Sequence, residues 1–142
     1  MILLDTDHLS HLTMPESSGH APLLARMQEA VGEEFVTSIV NAEEIMRGWL
    51  AVISRERKVK RQINAYARLG RLFDFFADWT VLPFDDRAAT EFERLWSAGA
   101  RIGSMDLKIA SIALVHDALL LTANRRDFEK VPGLRFENWL GE

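Results

Sequence analysis

The sequence predicts an α/β protein: one helix-rich α/β/α sandwich with a central parallel sheet. Short runs that are almost wholly apolar, such as "ILLD" at the start and "ALLLT" at residues 118–122, read as strands buried on both faces. Longer stretches between them carry apolar residues every three or four positions, as crossover helices require. No repeat and no Gly/Ser-rich linker divides the 142 residues, so one domain spanning 1–142 is expected.

Taken in order, Ile2–Asp5 is a short buried strand, and "DTDHLSHL" turns into a helix with Asp7 as its N-cap. "MPESSGHAP" (14–22) is a loop of turn-forming residues. A helix follows over Leu23–Val31, then a strand at "EFVTS" whose Ser38 caps the helix from Ile39 to about Ser54. "SRERKVKRQINAYARLGR" (54–71) sets seven Lys and Arg residues against the single acid Glu56. Its apolar residues Val59, Ile63, Tyr66, Leu69 and Phe73 step by three or four, which predicts an amphipathic helix with a basic outer face running to about Ala77. "WTVLPF" is a strand stopped by Pro83, and Asp85 caps a helix through Ser97. "GARIGS" is a loop, with Ser104 capping the helix Met105–His116. After "ALLLT", a turn at Pro132–Gly133 leads to a last short strand near Leu134–Phe136.

Composition narrows the function. With no cysteine, a disulfide framework and a thiolate metal site are excluded. The first residues resemble no signal peptide and no apolar run is long enough to span a bilayer, so a cytoplasmic setting without a membrane partner is expected. A net charge of −4 argues against a surface that coats nucleic acid broadly. The basic stretch can be a solvated helix face or a local phosphate-facing patch.

The acids are the sharper signal. Ligand sites of open α/β sheets lie beyond the carboxyl ends of the strands. Asp5 ends the first strand, Asn124 and Asp127 follow "LLLT", Asp106 opens the helix after "RIGS", and Glu44 lies about a turn and a half into the helix after "FVTS". Strand-end logic therefore gathers Asp5, Glu44, Asp106 and Asp127 on one edge. Duller roles exist for two of them, and helix geometry sets Glu44 apart from its neighbour. Asp106 suits a helix N-terminus, Asp127 can pair with Arg125 or Arg126, and Glu43 rather than Glu44 has Arg47 at i+4. Asp5 is the hardest to dismiss, because an unpaired carboxylate among apolar neighbours is costly and a cation would relieve the cost.

These residues bring the chain to a known family. "LLDTDHLS", "TSIVNAEEIMRGWL", "RIGSMDLKIASIAL" and "LLLTANRRDFEKVPGLRFENWL" resemble, in order and spacing, the motifs of the PIN-domain family, and within it the VapC-type ribonuclease toxins of bacterial toxin–antitoxin pairs. The resemblance covers the whole chain. It implies a PIN-like fold and a metal-dependent endoribonuclease whose acids are Asp5, Glu44 and Asp106, with Mg²⁺ or Mn²⁺ as the hard cation that such oxygen ligands select. Many relatives carry an acid where this chain has Asn124, so a second, weaker metal position leans on Asp127 and Asn124. Asn41 stands where a hydroxyl residue is common. Asp7, Ser38, Asn41 and Thr122 are expected to support the ligands from behind, and Arg57, Lys60, Lys108 and Arg125 are candidate RNA contacts. The resemblance further implies RNA as substrate, a cognate antitoxin and a homodimer.

Other readings meet the same residues. "DTDHL" resembles the two-aspartate loop of haloacid dehalogenase-type phosphatases, but Leu9 replaces the expected Thr or Val. His8 and His11 have a zinc-like spacing without a matching third ligand. No phosphate-binding glycine loop or serine elbow is present. The non-enzyme alternative is a PIN scaffold that binds RNA or protein without cutting.

Overall fold

The computed structural model describes residues 1–141. In chain order they form β1 (Ile2–Leu4), α1 (Thr6–Thr13), α2 (His20–Glu29), β2 (Phe35–Ser38), α3 (Ile39–Arg55), α4 (Ile63–Ala77), β3 (Thr80–Leu82), α5 (Asp86–Ser97), α6 (Ser104–Val115), β4 (Leu119–Leu121), α7 (Arg125–Phe128) and β5 (Phe136–Glu137). A 3₁₀ turn, Val59–Gln62, precedes α4. The strands make one sheet in the order β3-β2-β1-β4-β5, and every pairing is parallel. The chain winds outward from β1 to β3, then crosses back to build β4 and β5 on the other side. The switch point of the topology thus falls between β1 and β4, where Leu3 pairs with Leu120.

Alternation in the central strands fills both faces. Leu3, Val36 and Leu120 join a core closed by α5 and α6, with Leu95, Leu107, Ile109 and Ile112 among its members. Ile2, Leu4 and Leu121 point the other way, against Leu23 of α2 and Trp139. The successive residues Leu107, Ile109, Ala110, Ser111, Ile112 and Ala113 of α6 are all buried, so this helix is covered nearly all round. The Pro132–Gly133 turn forms as expected, with Gly133 at φ +80°.

Several local expectations are corrected. The N-cap of α1 is Asp5, not Asp7: its backbone stays extended and its carboxylate accepts from Thr6 N. The second helix starts at His20 rather than Leu23, because Pro22 sits in its first turn, where a missing N–H costs nothing. Gly103, not Ser104, precedes α6, and it supplies no side-chain cap. Ser38 and Asp85 do cap α3 and α5, accepting from Asn41 N and Ala88 N. The last strand lies at Phe136–Glu137, slightly beyond the expected Leu134–Phe136.

The largest correction concerns the basic helix. It is broken at residues 56–58, where the Glu56 carboxylate accepts from Lys58 N and Gln62 Nε2 donates to the carbonyls of Ile53 and Glu56. The break resets the phase. Ala65 and Leu72 form the inner stripe of α4, whereas Val59, Ile63, Tyr66 and Phe73, expected inside, are exposed. An apolar 3–4 spacing is the same whether it faces a core or an open surface, so the sequence pattern could not choose.

The C-terminal segment is tied down by a buried imidazole. His8 is fully buried, its Nε2 accepts from Trp139 N at 3.0 Å, and its Nδ1 therefore carries the ring proton toward Asp7 Oδ1 at 2.6 Å. Trp139 is further held by an edge contact with Phe35 and by Arg26 stacked on its ring. His8→Phe, which keeps ring volume but strands Asp7 and the Trp139 N–H, is expected to cost about 2–4 kcal/mol in urea denaturation.

Candidate active site

The carboxyl ends of β1, β2 and β4 are lined by buried polar side chains, unusual in an otherwise apolar interior: Asp5, Thr37, Ser38, Asn41 and Thr122. Each is hydrogen-bonded. Asp5 Oδ1 accepts from Thr6 N at 2.8 Å and from Asn41 Nδ2 at 2.9 Å, and Oδ2 accepts from Thr122 Oγ1 at 2.7 Å. Asn41 is itself fixed by Ser38, whose hydroxyl donates to its carbonyl oxygen at 2.6 Å. Thr37 donates to the Leu4 carbonyl, joining β2 to β1 just below.

Glu44, one turn beyond Asn41 on α3, is reached through Thr6, whose hydroxyl donates to Glu44 Oε1 at 2.6 Å while accepting from Asn41 Nδ2 at 3.1 Å. Thr6 was not singled out in the sequence; its place between two candidate acids was the available signal. On the far side, Asn124 Nδ2 donates to both Asp106 Oδ2 and Asp127 Oδ2, each at 3.2 Å. Asn124 also caps α7 by accepting from Asp127 N. The structure thus brings Asp5, Glu44, Asp106, Asp127 and Asn124 to one sheet edge, joined through amides and hydroxyls.

Asp7 stands behind this group. Its Oδ2 accepts from Ala123 N at 2.8 Å, and Thr122 Oγ1 lies 3.5 Å away. Burial would raise its proton affinity, but hydrogen bonds from His8 and Ala123 outweigh burial and hold it below the ordinary carboxylate range. Asp5 and Asp106 go the other way. Burial, then the neighbouring Asp7 and Glu44 charges, push Asp5 up to about 7 despite bonds from Thr122 and Thr6. Burial, then Glu44, Asp127 and Asp7, push Asp106 up to about 6. Glu44 and Asp7 thus press on both perturbed carboxyls.

The basic candidates scatter. Arg57 and Lys60 are exposed on the connector before α4. Lys108 leans over the Phe84 ring, 5.9 Å from its centroid, and lines an apolar groove of about 540 Å³ with Met46 and Leu50. Arg125 pairs with Glu129 and, with Thr122 and Asn138, lines a cavity of about 310 Å³ on the β5 side of the acids. Asp127 faces Lys130 at 3.9 Å rather than Arg125 or Arg126. On the α3 side, Thr6, Glu44, Gly48 and Trp49 line a groove of about 290 Å³. A Cβ built on Gly48 would meet nothing within 4 Å, so the groove stays open beside Glu44.

Among the described residues no group of three or more His, Cys, Asp or Glu side chains is arranged to hold a metal ion. Thr6, Asn41, Thr122 and Asn124 engage the carboxylate oxygens instead. The donor chemistry nevertheless fits a hard divalent cation, since it consists of carboxylate oxygens crowded together with excess negative charge.

Comparison with known proteins gives this geometry a context. The chain is 31% identical over 104 residues to Ribonuclease VapC2 of Rickettsia felis, covering 73% of this chain and 72% of that protein. It is 29% identical over 122 residues to Ribonuclease VapC2 of Haemophilus influenzae, covering 83% and 84%. The crystal structure of VapBC2 from Rickettsia felis bound to a DNA fragment from their promoter superposes with a TM-score of 0.73 at 23% identity, over 98% of this chain and 99% of that one. The family model described as PIN domain matches residues 2–134, and the chain belongs to that family.

Proposed function

We propose that this protein is a metal-dependent endoribonuclease, the toxin of a VapBC-type toxin–antitoxin pair, hydrolysing RNA phosphodiester bonds at the Asp5–Glu44–Asp106 edge. The observation that carries the reading is the pair of carboxyls, Asp5 and Asp106, held at raised proton affinity around Glu44 at the switch point of a PIN-domain sheet. Evolution has little reason to crowd acids there unless a cation completes the site. The relatives named as ribonucleases support the activity, and the VapBC2 assembly supports an antitoxin as partner.

Asp5, Glu44 and Asp106 would hold Mg²⁺ or Mn²⁺, and Asp127 with Asn124 would serve a second, weaker position. When bound, such a cation polarises the phosphodiester, lowers the proton affinity of water and neutralises charge on the entering and leaving oxygens. The chain's own residues orient and space the acids. Asn41 and Thr122 fix the two oxygens of Asp5, Thr6 fixes one oxygen of Glu44, and Asn124 keeps Asp106 and Asp127 from repelling each other apart. The groove past Gly48 gives the RNA access without a side chain in the way.

The apolar surface of α3 and α4 suits protein partners. Ile39, Leu50, Ile63, Tyr66 and Phe73 are exposed, and two grooves of about 540 and 250 Å³ run along Ile39, Ala42 and Met46. A homodimer and the antitoxin would cover this surface. Among the described residues no helix is long and apolar enough to cross a membrane.

Asp5→Asn, Glu44→Gln and Asp106→Asn are each expected to abolish Mn²⁺-dependent cleavage of mixed RNA oligomers, with Glu43→Gln near parent activity. A folded parent that leaves RNA intact at every Mn²⁺ concentration would instead favour the scaffold that binds without cutting. Asp127→Asn should raise the Mn²⁺ concentration for half-maximal cleavage, and Asn124→Asp should lower it.

The raised carboxyls also set a pH dependence. Between the ordinary carboxylate value near 3.8 and about 7, folded Asp5 binds more proton than the unfolded chain does. The stability contributed by protonated Asp5 is therefore present at acid pH and lost as pH rises through about 7. Thermal melts in EDTA should show the parent losing stability from pH 5 to pH 8, Asp5→Asn losing less, and the variant melting higher at pH 8.

A further inference from the structure

The groove beside Glu44 has a neighbour. Trp49, one of its walls, also lines a second cavity of about 140 Å³ whose cationic walls are Arg68 and Arg71 of α4. Arg68 donates from Nη2 to Glu16 at 2.6 Å, and its guanidinium lies 6.0 Å from the Trp49 ring centroid. Its Nε and Nη1 are buried and have no acceptor among the described residues. Such donors are costly to leave unmade, and an oxyanion reached by a small shift of the side chain would relieve them. Arg71 is exposed on the same cavity.

We propose, resting on the ribonuclease reading, that these two cavities, adjoining at Trp49, form a nucleotide subsite. The RNA strand leaves the acids across Gly48, stacks a base on Trp49 and sets a backbone phosphate against Arg68 and Arg71. An aromatic ring beside two guanidinium groups is the chemistry that holds a single strand without reading its sequence. Its position answers an electrostatic need, because the acids repel phosphate and the arginines return positive charge one step along the strand. Of the apolar grooves on α3, the smaller has aromatic rings but no cation, and in the larger Arg47 beside Phe84 is paired with Glu43. Arg57 and Lys60, on an exposed connector outside either cavity, are then not the main phosphate contacts. Glu16 competes with RNA for Arg68.

Fluorescence anisotropy of a labelled, mixed-sequence single-stranded RNA 12-mer, with the full chain in EDTA, tests this. Arg71→Ala should weaken binding several-fold and reduce the slope of log Kd against log salt by about 0.7, the loss of one phosphate contact on a single strand. Trp49→Leu should weaken binding by about 5-fold or more with the slope unchanged, and Trp49→Phe should restore most of the affinity. Glu16→Gln should tighten binding, a gain that misfolding cannot produce. If Arg71→Ala and Trp49→Leu bind as the parent does, or if the slope change belongs to an Arg57→Ala/Lys60→Ala double variant instead, the proposal fails. Cleavage with Mn²⁺, measured in parallel, separates the two readings. Binding with this pattern and no cleavage overturns the ribonuclease alone, while cleavage that is lost in Asp5→Asn, with binding indifferent to Trp49 and Arg71, overturns the subsite alone.

Discussion

A carboxylate buried at the end of the central strand organises this protein. Asp5 follows Leu3 and Leu4, both fully buried, and could not stay there without donors. Three different segments supply them: the first turn of α1 through Thr6 N, the first turn of α3 through Asn41, and the end of β4 through Thr122. These bonds do more than satisfy oxygens. They fix the mutual register of three elements at the point where the winding of the sheet reverses, which is where a parallel sheet opens a crevice.

The same economy explains the layer behind. Asp7 ties the peptide after β4 to α1 through Ala123 N, and His8 ties α1 to the C-terminal segment through Trp139 N. A dipeptide thus clamps both later strands of the sheet to its first helix. The two carboxylates of "DTD" consequently differ in character. Asp7 is well supplied with hydrogen bonds and lies low in proton affinity, while Asp5 is more buried, feels Asp7 and Glu44, and lies high. Environment alone divides chemically identical groups between a structural anchor and a charge in need of a partner.

The fold and the acids were legible in the sequence for the same reason. Short apolar strands force a covered parallel sheet, and acids at strand ends then have one edge to share. Ser38 and Asp85 were legible as caps because a short polar side chain stood immediately before a helical pattern. What escaped reading depended on distance or phase. The bond from Trp139 to His8 joins residues 131 positions apart, and neither side chain advertises the other. Asp5 displaced Asp7 as cap because the strand ends with its last apolar residue, Leu4, one position before the expected end at Asp5. In the basic segment the periodicity was real but its direction was not encoded, since the break at residues 56–58 rotated the apolar stripe outward.

That rotation separates two surfaces that the sequence had merged into one helix. Exposed Phe73 of α4 lies with the apolar face of α3, whereas Arg68 and Arg71 line a cavity with Leu12 and Thr13 at the end of α1 and Trp49 of α3. Had the helix run unbroken from Ser54, one basic face and one buried face would have left no apolar surface for protein and no arginines beside the groove. A protein of net charge −4 that must hold a polyanion cannot rely on its overall field. Under the proposed function it needs cations placed locally, close enough to counter the acids without neutralising the carboxylates that would hold a metal. Arg68 and Arg71 adjoin Trp49, which also lines the groove beside Glu44 and Gly48, and Arg68 pairs with Glu16 rather than with the carboxylates of the site.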